Sequence, residues 1–398
     1  MRKKKKNSIK TSLIAIASCL VLLLPFSCQE KPDAIPKNEF QIETNEFFIA
    51  ENSAKMVAEN FAKGFGSNTP NSLKTQKTYS LNNFLDEENG EALLYIVNYD
   101  EGGFIIIPAD NRVYPILAHS EESSFVTVES EIPDGVNLWV HYTKKAIKKV
   151  KRENKKQNLE MEKIWKRHLK VTSLKVYDPP GPCEDETINV GPFLQTVWHQ
   201  WVGFNDSLDI LSGCTELPYN GRAFVGCVTV AMAQVMKYHQ HPSSYSWSSM
   251  PNIYGTSATH LLIRDIGISN SMDYLCSGSE TSTQTYVVPS LVNDFGYSSS
   301  ATFVNNYNYI TLKNELSNNR PVLMRADDDN GLGGHTWVCD GYQSRFYCDS
   351  GGSYLYFRMN WGFINGLCNA YYYSWNSSFD PLEFEFNTNL GMVIGIKP

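Results

Sequence analysis

Cys227 is the residue whose neighbours best equip it to act as a nucleophile. It follows Gly226 within the stretch "AFVGCVTVAMAQVMKYHQH", Ala223 to His241. From Val228 the apolar residues Val228, Ala231, Met232, Val235 and Met236 recur at i, i+3, i+4, i+7 and i+8, the buried stripe of an amphipathic helix. A thiol in the first turn of such a helix faces unpaired backbone N–H groups and the positive end of the dipole, and both favour thiolate. Gly226 leaves room for a carbonyl to approach, with the N–H of Cys227 able to help hold an oxyanion. Taken alone, the stretch fits equally a buried cysteine that serves as a small hydrophobe.

A thiolate nucleophile needs a base, an orienter for the base and an oxyanion donor. His335 follows Gly333-Gly334 and begins a run in which His335, Trp337 and Cys339 fall on one face of a strand. Asn360, followed by Trp361, ends the strand Tyr354 to Asn360, which is expected in the same sheet and so within reach of His335. Gln200 is polar among aromatic neighbours in "VGPFLQTVWHQWVGFN". A cysteine on a helix facing a histidine on a sheet is the arrangement that papain-like peptidases use.

The elements that must position these groups read as helices first and strands second. After the Cys227 helix come a helical signal at Tyr286 to Phe295, ended by Gly296, and a short helix at Leu312 to Leu316 before Pro321. Then follow "PVLMRA", "HTWVCDG", "RFYCDS" and "SYLYFRMNW", broken by Gly pairs and Asp-Gly, an antiparallel pattern and an α+β order. Upstream, Ser53 to Ala62 places Ala54, Val57, Ala58, Phe61 and Ala62 on one helical face. "ALLYIVNY", "GFIIIPAD" and "VYPILAHS" read as three strands, and Asn137 to Val150 as a helix. "YDPPGPCEDE" is Pro-rich and sets a domain boundary at about residues 171 to 190.

The 398 residues suffice for about two to three domains, 42% are hydrophobic and 19% charged, and 22 Tyr and 20 Phe mark a well-packed globular chain. A net charge of −7 argues against nucleic acid as a partner. Residues 144–170 carry 12 Lys/Arg against 3 Glu, whereas residues 171–398 carry 10 Lys/Arg against 20 Asp/Glu. The basic run is expected to be an exposed, protease-sensitive linker, with a membrane or partner surface as the alternative. "MRKKKKNSIK" and the 15 apolar-rich residues Ser12 to Phe26 form a secretory signal too short to span a bilayer. Ser27-Cys28 resembles a lipoprotein processing site, which would lipidate Cys28 and attach the chain to a membrane; ordinary signal cleavage is the alternative. His239 and His241 lack partners at ligand spacing, so no metal or cofactor is expected. Asp327 to Asp329 followed by Asn330-Gly331 reads as a solvated turn. Cys183, Cys214, Cys276, Cys339, Cys348 and Cys368 could form three bridges in an oxidising compartment or remain buried thiols.

Four segments make the resemblance specific. "GCVTVAMAQVMKYHQHP", "GGHTWVCDGY", "YFRMNWGF" and "VIGIKP" resemble the nucleophile helix, histidine strand, Asn-Trp segment and C-terminal strand of the streptopain family of secreted bacterial cysteine peptidases. "EGGFIIIPADNRVYPILAHSEESSF" is similar to the inhibitory prosegment of that family. The resemblance implies a papain-like two-lobed domain with Cys227 as nucleophile, His335 as general base and acid, Asn360 as its orienter beside Trp361, and Gln200 as oxyanion donor. It implies endopeptidase action on protein or peptide substrates, with a preference for a hydrophobic residue two places before the cut. The loop "GFINGLCNAYYY" departs from the pattern in having fewer glycines and carrying Cys368, as does His199 before Gln200. The expected organisation is a signal with lipoprotein cysteine (1–28), a tether (29–45), an inhibitory prodomain with basic linker (46–170) and a peptidase domain (171–398). A papain-fold acyltransferase, or a catalytically silent surface adhesin or inhibitor, are the competing readings.

Overall fold

A computed structural model of the chain describes residues 46–64, 78–153, 156–169, 184–214, 220–276, 278–327, 334–348, 351–374 and 390–398. The expected signal, tether and Cys28, most of the Pro-rich boundary with Cys183, and the acidic turn after Asp327 lie outside the described residues.

The N-terminal part is α1 (Glu51–Gly64), an antiparallel meander of β1 (Tyr79–Leu85), β2 (Ala92–Tyr99), β3 (Phe104–Pro108) and β4 (Ala118–Ser120), then α2 (Asp134–Arg152) and α3 (Leu159–Leu169). β2 and β3 are near-continuous apolar runs because both faces are covered: all five residues of β3 are buried, and α1 and α2 both pack on β2. The strand expected over "VYPILAHS" pairs only at its end. Pro115 has no N–H to give a ladder, and the carbonyls before and after it go to side chains: Val113 to Trp165 Nε1 at 2.8 Å and Ile116 to Tyr356 Oη at 3.2 Å.

The basic run is not a linker. Residues 144–152 complete α2, and 159–169 form α3, whose Met161, Ile164, Trp165 and His168 are buried at i, i+3, i+4 and i+7. Among the described residues the α2 lysines find their acids inside the N-terminal part, whereas Arg167 of α3 pairs with Asp185 across the boundary. Lys144 pairs with Glu87 at 2.5 Å and Glu129 at 2.9 Å, and Lys148 with Asp86 at 2.7 Å and Glu88 at 3.0 Å, all within the N-terminal part. A charged helix can hide an apolar stripe under long stems, so net charge misjudged its exposure.

The C-terminal part begins with β5 (Glu186–Val190) and then forms α4 (Cys227–His239), α5 (Ser257–Ser269), β6 (Thr302–Val304), α6 (Tyr309–Ser317), β7 (Val322–Asp327), β8 (Gly334–Tyr347), β9 (Gly352–Asn360), β10 (Ala370–Tyr373) and β11 (Gly391–Ile394). The helical signal at Tyr286 to Phe295 appears as two wide helical turns, Thr283–Val287 and Ser290–Asp294. The two runs "HTWVCDG" and "RFYCDS" join into the single strand β8, bulged at Asp340. The bulge turns the Asp340 carboxylate inward, where it receives Arg358 Nη1 at 2.7 Å and the Leu194 N–H at 2.9 Å.

All described strands join in one sheet, in the order β1-β2-β3-β4-β10-β9-β8-β7-β11-β6, with β5 paired to the distal half of β8. The N-terminal meander therefore continues the C-terminal sheet, through two residue pairs, His119 with Tyr371 and Ala118 with Tyr372. Two cores flank the sheet. One merges the N-terminal part with the sheet; the other gathers α4, α5 and the sheet residues Leu323, Val338 and Val393.

Candidate active site

α4 is buried on every side, from Val228 through Met236, more than an amphipathic stripe requires. Val230 and Ala233, off the stripe, are apolar as well, and sheet and α5 enclose them. Its N-cap is Gly226 at φ +86°, where a side chain would be strained and a Cβ would come within 2.7 Å of Met272 Cε. Cys227 thus starts the helix at a backbone conformation that glycine allows, half-buried and free of disulfide.

The structure brings Cys227 and His335 together. Burial would hold the Cys227 thiol protonated, but the charge of His335, its hydrogen bond and the N–H groups of Thr336 and Val228 outweigh that and lower the pKa below the ordinary thiol value. Burial would likewise keep His335 neutral; the Cys227 sulfur, the Trp361 carbonyl and the Asp134 carboxylate outweigh it and raise its pKa. The two shifts together describe a thiolate–imidazolium pair. His335 Nε2 lies 2.9 Å from the Trp361 carbonyl oxygen. A carbonyl only accepts, so Nε2 carries the proton given to it, and Nδ1 is left for Cys227.

The Asn360 side chain does not make the orienting contact expected of it. In the register Asn360 lies opposite Val338, so its side chain falls on the sheet face toward α4, whereas His335 alternates with Trp337 onto the other face. Asn360 Nδ2 donates to the Thr196 carbonyl at 2.9 Å, and its amide pairs with that of Gln234 at 3.3 Å in both directions. The orienting role passes to the backbone of the next residue. The Trp361 indole stacks near Trp337, 4.8 Å between ring centroids, and meets Tyr372 edge-on at 5.4 Å.

Gln200 is half-buried beside the entrance to α4, its carbonyl accepting from the Val225 N–H at 3.1 Å. The preceding His199 is buried, its pKa pushed down by burial to about 4, and its Nδ1 accepts from the Trp201 N–H at 3.2 Å, which fixes the turn through Gln200. Cys214 and Cys276 form a disulfide and Cys348 is disulfide-bonded, whereas Cys339 and Cys368 are buried thiols whose pKa values burial raises, the latter to about 12. Neither of those two can compete with Cys227 as a thiolate. Among the described residues no cluster could hold a metal ion; His239 Nδ1 sits 3.3 Å from Tyr297 Oη.

The N-terminal part covers this site. Gly135, in the first turn of α2, lies on the imidazole: a Cβ there would come within 2.3 Å of His335 Cδ2 and 3.1 Å of Trp361 Cε3. Asp134 beside it adds a carboxylate to the field of His335. Farther along, Leu138 and Trp139 roof an apolar cavity floored by Met324, Trp337, Met359 and Tyr372. Sequence reasoning missed Gly135, Gln234 and the Trp361 carbonyl. Only Gln234 carried a signal: an amide in the middle of an apolar helix, seven residues after the cysteine and so on the same face.

Known proteins resemble both parts of the chain. Residues 198–246 and 243–372 match the Peptidase C10 family, and residues 46–147 match the Spi protease inhibitor family. The thiol protease/hemagglutinin PrtT of Porphyromonas gingivalis is 25% identical over 397 residues, covering 86% of this chain but only 41% of its own length. Streptopain of Streptococcus pyogenes is 24% identical over 449 residues, covering both chains in full. A solved fragment of prointerpain A from Prevotella intermedia superposes with a TM-score of 0.54 at 22% identity, covering 81% of this chain and all of the fragment, which is a likeness of fold.

Proposed function

The chain belongs to the Peptidase C10, or streptopain, family of papain-like cysteine peptidases and is made as a zymogen, and on that premise we propose that Cys227 and His335 carry out acyl transfer from peptide bonds. The observation that carries this reading is the Cys227–His335 pair at the head of α4, with His335 Nε2 committed to the Trp361 carbonyl. The thiolate attacks the peptide carbonyl and the π electrons move to oxygen, which the Cys227 N–H and Gln200 stabilise. His335 gives its Nδ1 proton to the leaving amine as the C–N bond breaks. It then takes a proton from water, which attacks the thioester and releases the acid and the thiolate. Asn360 acts at one remove, by fixing the turn that presents the Trp361 carbonyl.

Residues 46–170 are the inhibitory prodomain with its basic run in this reading, supported by the seating of Gly135 on His335. The maturation cut falls between Lys144 and Glu186, and Leu159 at the start of α3 is exposed within that interval. Export through the N-terminal signal and lipid attachment at Cys28 belong to the same reading. Disulfides at Cys214–Cys276 and Cys348 support passage through an oxidising compartment. Among the described residues no helix is long and apolar enough to cross a membrane. A preference for a hydrophobic residue two places before the cut follows from the family.

The test is covalent capture. The matured protein is incubated with a peptidyl epoxide that traps thiolates, and the modified residue is mapped by mass. Modification at Cys227, together with an unprocessed and inactive but folded Cys227→Ala precursor, is the expected result; casein hydrolysis by that variant would sink the mechanism.

A further inference from the structure

Gln234 is fully buried in the middle of α4 and belongs to no part of the chemistry described above. It stands seven residues after Cys227, which at the helical rise puts it about 10.5 Å further along the same face. At the head of the helix Cys227 meets His335, which reaches it from the start of β8, and two turns on Gln234 meets Asn360.

The contacts of Gln234 saturate its oxygen. Oε1 accepts from Thr196 Oγ1 at 2.8 Å and from Asn360 Nδ2 at 3.3 Å, and Nε2 donates to Asn360 Oδ1 at 3.3 Å. Asn360 in turn holds the Thr196 carbonyl at 2.9 Å, and its Oδ1 accepts from the Gly362 N–H at 3.2 Å. Trp361, between Asn360 and Gly362, has its N–H on Asn369 Oδ1 at 2.9 Å and its carbonyl on His335 Nε2. Gly362 is at φ +75°, and a Cβ there would meet Val230 Cγ1 of α4 at 3.2 Å, so the turn lies against the same helix. Thr196 belongs to the segment that leads to Gln200.

We infer that Gln234 is a positioning residue for the peptidase reaction, setting the turn Asn360–Gly362, and through the Trp361 carbonyl the imidazole of His335, against the helix that carries Cys227. The inference rests on the Cys227–His335 reading. An aliphatic side chain would pack in the same space, but it would remove both amide–amide bonds and leave Asn360 held only by the Thr196 carbonyl and the Gly362 N–H, loosening the turn that presents the Trp361 carbonyl. A misplaced imidazole lowers kcat, while substrate binding along the cleft, which Gln234 does not touch, keeps KM.

The experiment uses the full chain with Gln234→Met, and Thr196→Val as a milder variant that removes one hydrogen bond to Gln234. After processing has removed the covering N-terminal part, Cys227 alkylation by iodoacetamide is followed from pH 4 to pH 9, and kcat and KM are measured on the same material. The wild type is expected to react well below the ordinary thiol range. Gln234→Met should shift the onset of alkylation to higher pH and lower kcat by about ten- to a hundredfold with KM little changed, and Thr196→Val should do the same to a smaller degree. If Gln234→Met does not fold, judged by loss of a cooperative melt, Thr196→Val decides alone. Alkylation profiles and kcat unchanged in a folded variant, with only the melting temperature lowered, would overturn the positioning role. Absence of low-pH reactivity in the wild type would instead overturn the Cys227–His335 pair, and this inference with it.

Discussion

The sheet of this chain is bounded by two buried seams, and they are built from different polar groups. The seam with the α4 side contains neutral amides and hydroxyls, Gln234 with Asn360 and Thr283 Oγ1 with Thr336 Oγ1 at 2.8 Å, and one buried ion pair, Asp340 with Arg358. None of these changes charge near neutral pH. The seam with the prodomain is an aromatic stack. Tyr114 lies between Tyr354 and Tyr373 at 4.2 and 4.9 Å, Trp139 stands on Tyr372, and His119 stacks on Tyr371 at 5.3 Å. Into this stack two imidazoles are buried, His119 and His168, both within the field of Arg345. Apart from the reacting Cys227 and His335, the polar contacts named on the α4 side are amides, hydroxyls and one ion pair, whereas the prodomain side buries two imidazoles that titrate.

The largest expected effect lies on the α4 side, where the chemistry sits. His335→Ala should lower kcat by about a thousandfold or more, because it removes proton transfer and the counter-charge of the thiolate together. Asn360→Ala should cost less, about ten- to a hundredfold, since the orienting acceptor is the Trp361 backbone, but should destabilise by about 1–3 kcal/mol through the stranded Gln234 amide. Rates and melting curves of the two matured variants check this. Equal rates in both would mean that Asn360 touches the imidazole in the working enzyme.

Next comes the contact that covers His335. Gly135→Ala should raise the intrinsic helicity of α2 yet push the helix off the imidazole, so the precursor should mature faster by about tenfold, a weakening of some 1.4 kcal/mol. Time courses of processing for the two full chains measure it. Unchanged latency would place the inhibitory contacts elsewhere in the stack.

The two imidazoles give the third prediction. Burial first, then Arg345, holds His119 well below the ordinary histidine value; burial, Arg345 and Arg167 hold His168 at about 3. Both are therefore neutral in the closed seam and bind protons once it opens, so the seam is at full strength above about pH 6.5 and weakens progressively as pH falls toward the depressed values. By pH 5 the loss is about 2 kcal/mol for His168, and His119 adds in the same direction. The Glu121 carboxyl, its pKa raised by burial and by Glu122, takes up its proton more readily in the closed seam than in the open one and so offsets part of this trend. Hydrogen exchange of a Cys227→Ala full chain should show the β4–β10 junction opening between pH 6.5 and 4.5, and His168→Phe should flatten that dependence. A junction equally protected at both ends of the range would refute the assignment.

Smallest of all should be the effect of the basic helix on latency. Lys148→Ala removes a largely buried pair with Asp86 and an exposed one with Glu88, both inside the prodomain, and should lower its own stability by about 1–2 kcal/mol. Latency of the precursor should not change, and neither should its response to 0.5 M salt. A salt response that Lys148→Ala reduces would give the lysines of α2 a role across the seam, apart from the Arg167–Asp185 pair.

The nucleophile helix, the histidine strand, the Asn-Trp strand end and the buried β2 and β3 were all legible as residue patterns, because each depends on periodicity or on local chemistry within a few residues. α3 was legible too, in Met161, Ile164, Trp165 and His168, but twelve nearby basic charges drew attention to solvent and away from that stripe. The partner of His335 was not legible, since a backbone carbonyl has no residue type; the register of β8 with β9 decided that Asn360 turns toward α4 and that Trp361 supplies the acceptor. Nor could composition show that the lysines of α2 find their acids at residues 86–91 and 129, or that a glycine in the prodomain leaves the space His335 occupies. Sequence alone determined which groups are able to react and which stretches are able to be helix or strand. Which of those groups meet depends on distances between segments 100 or more residues apart, and only the packed sheet and its two seams set those distances.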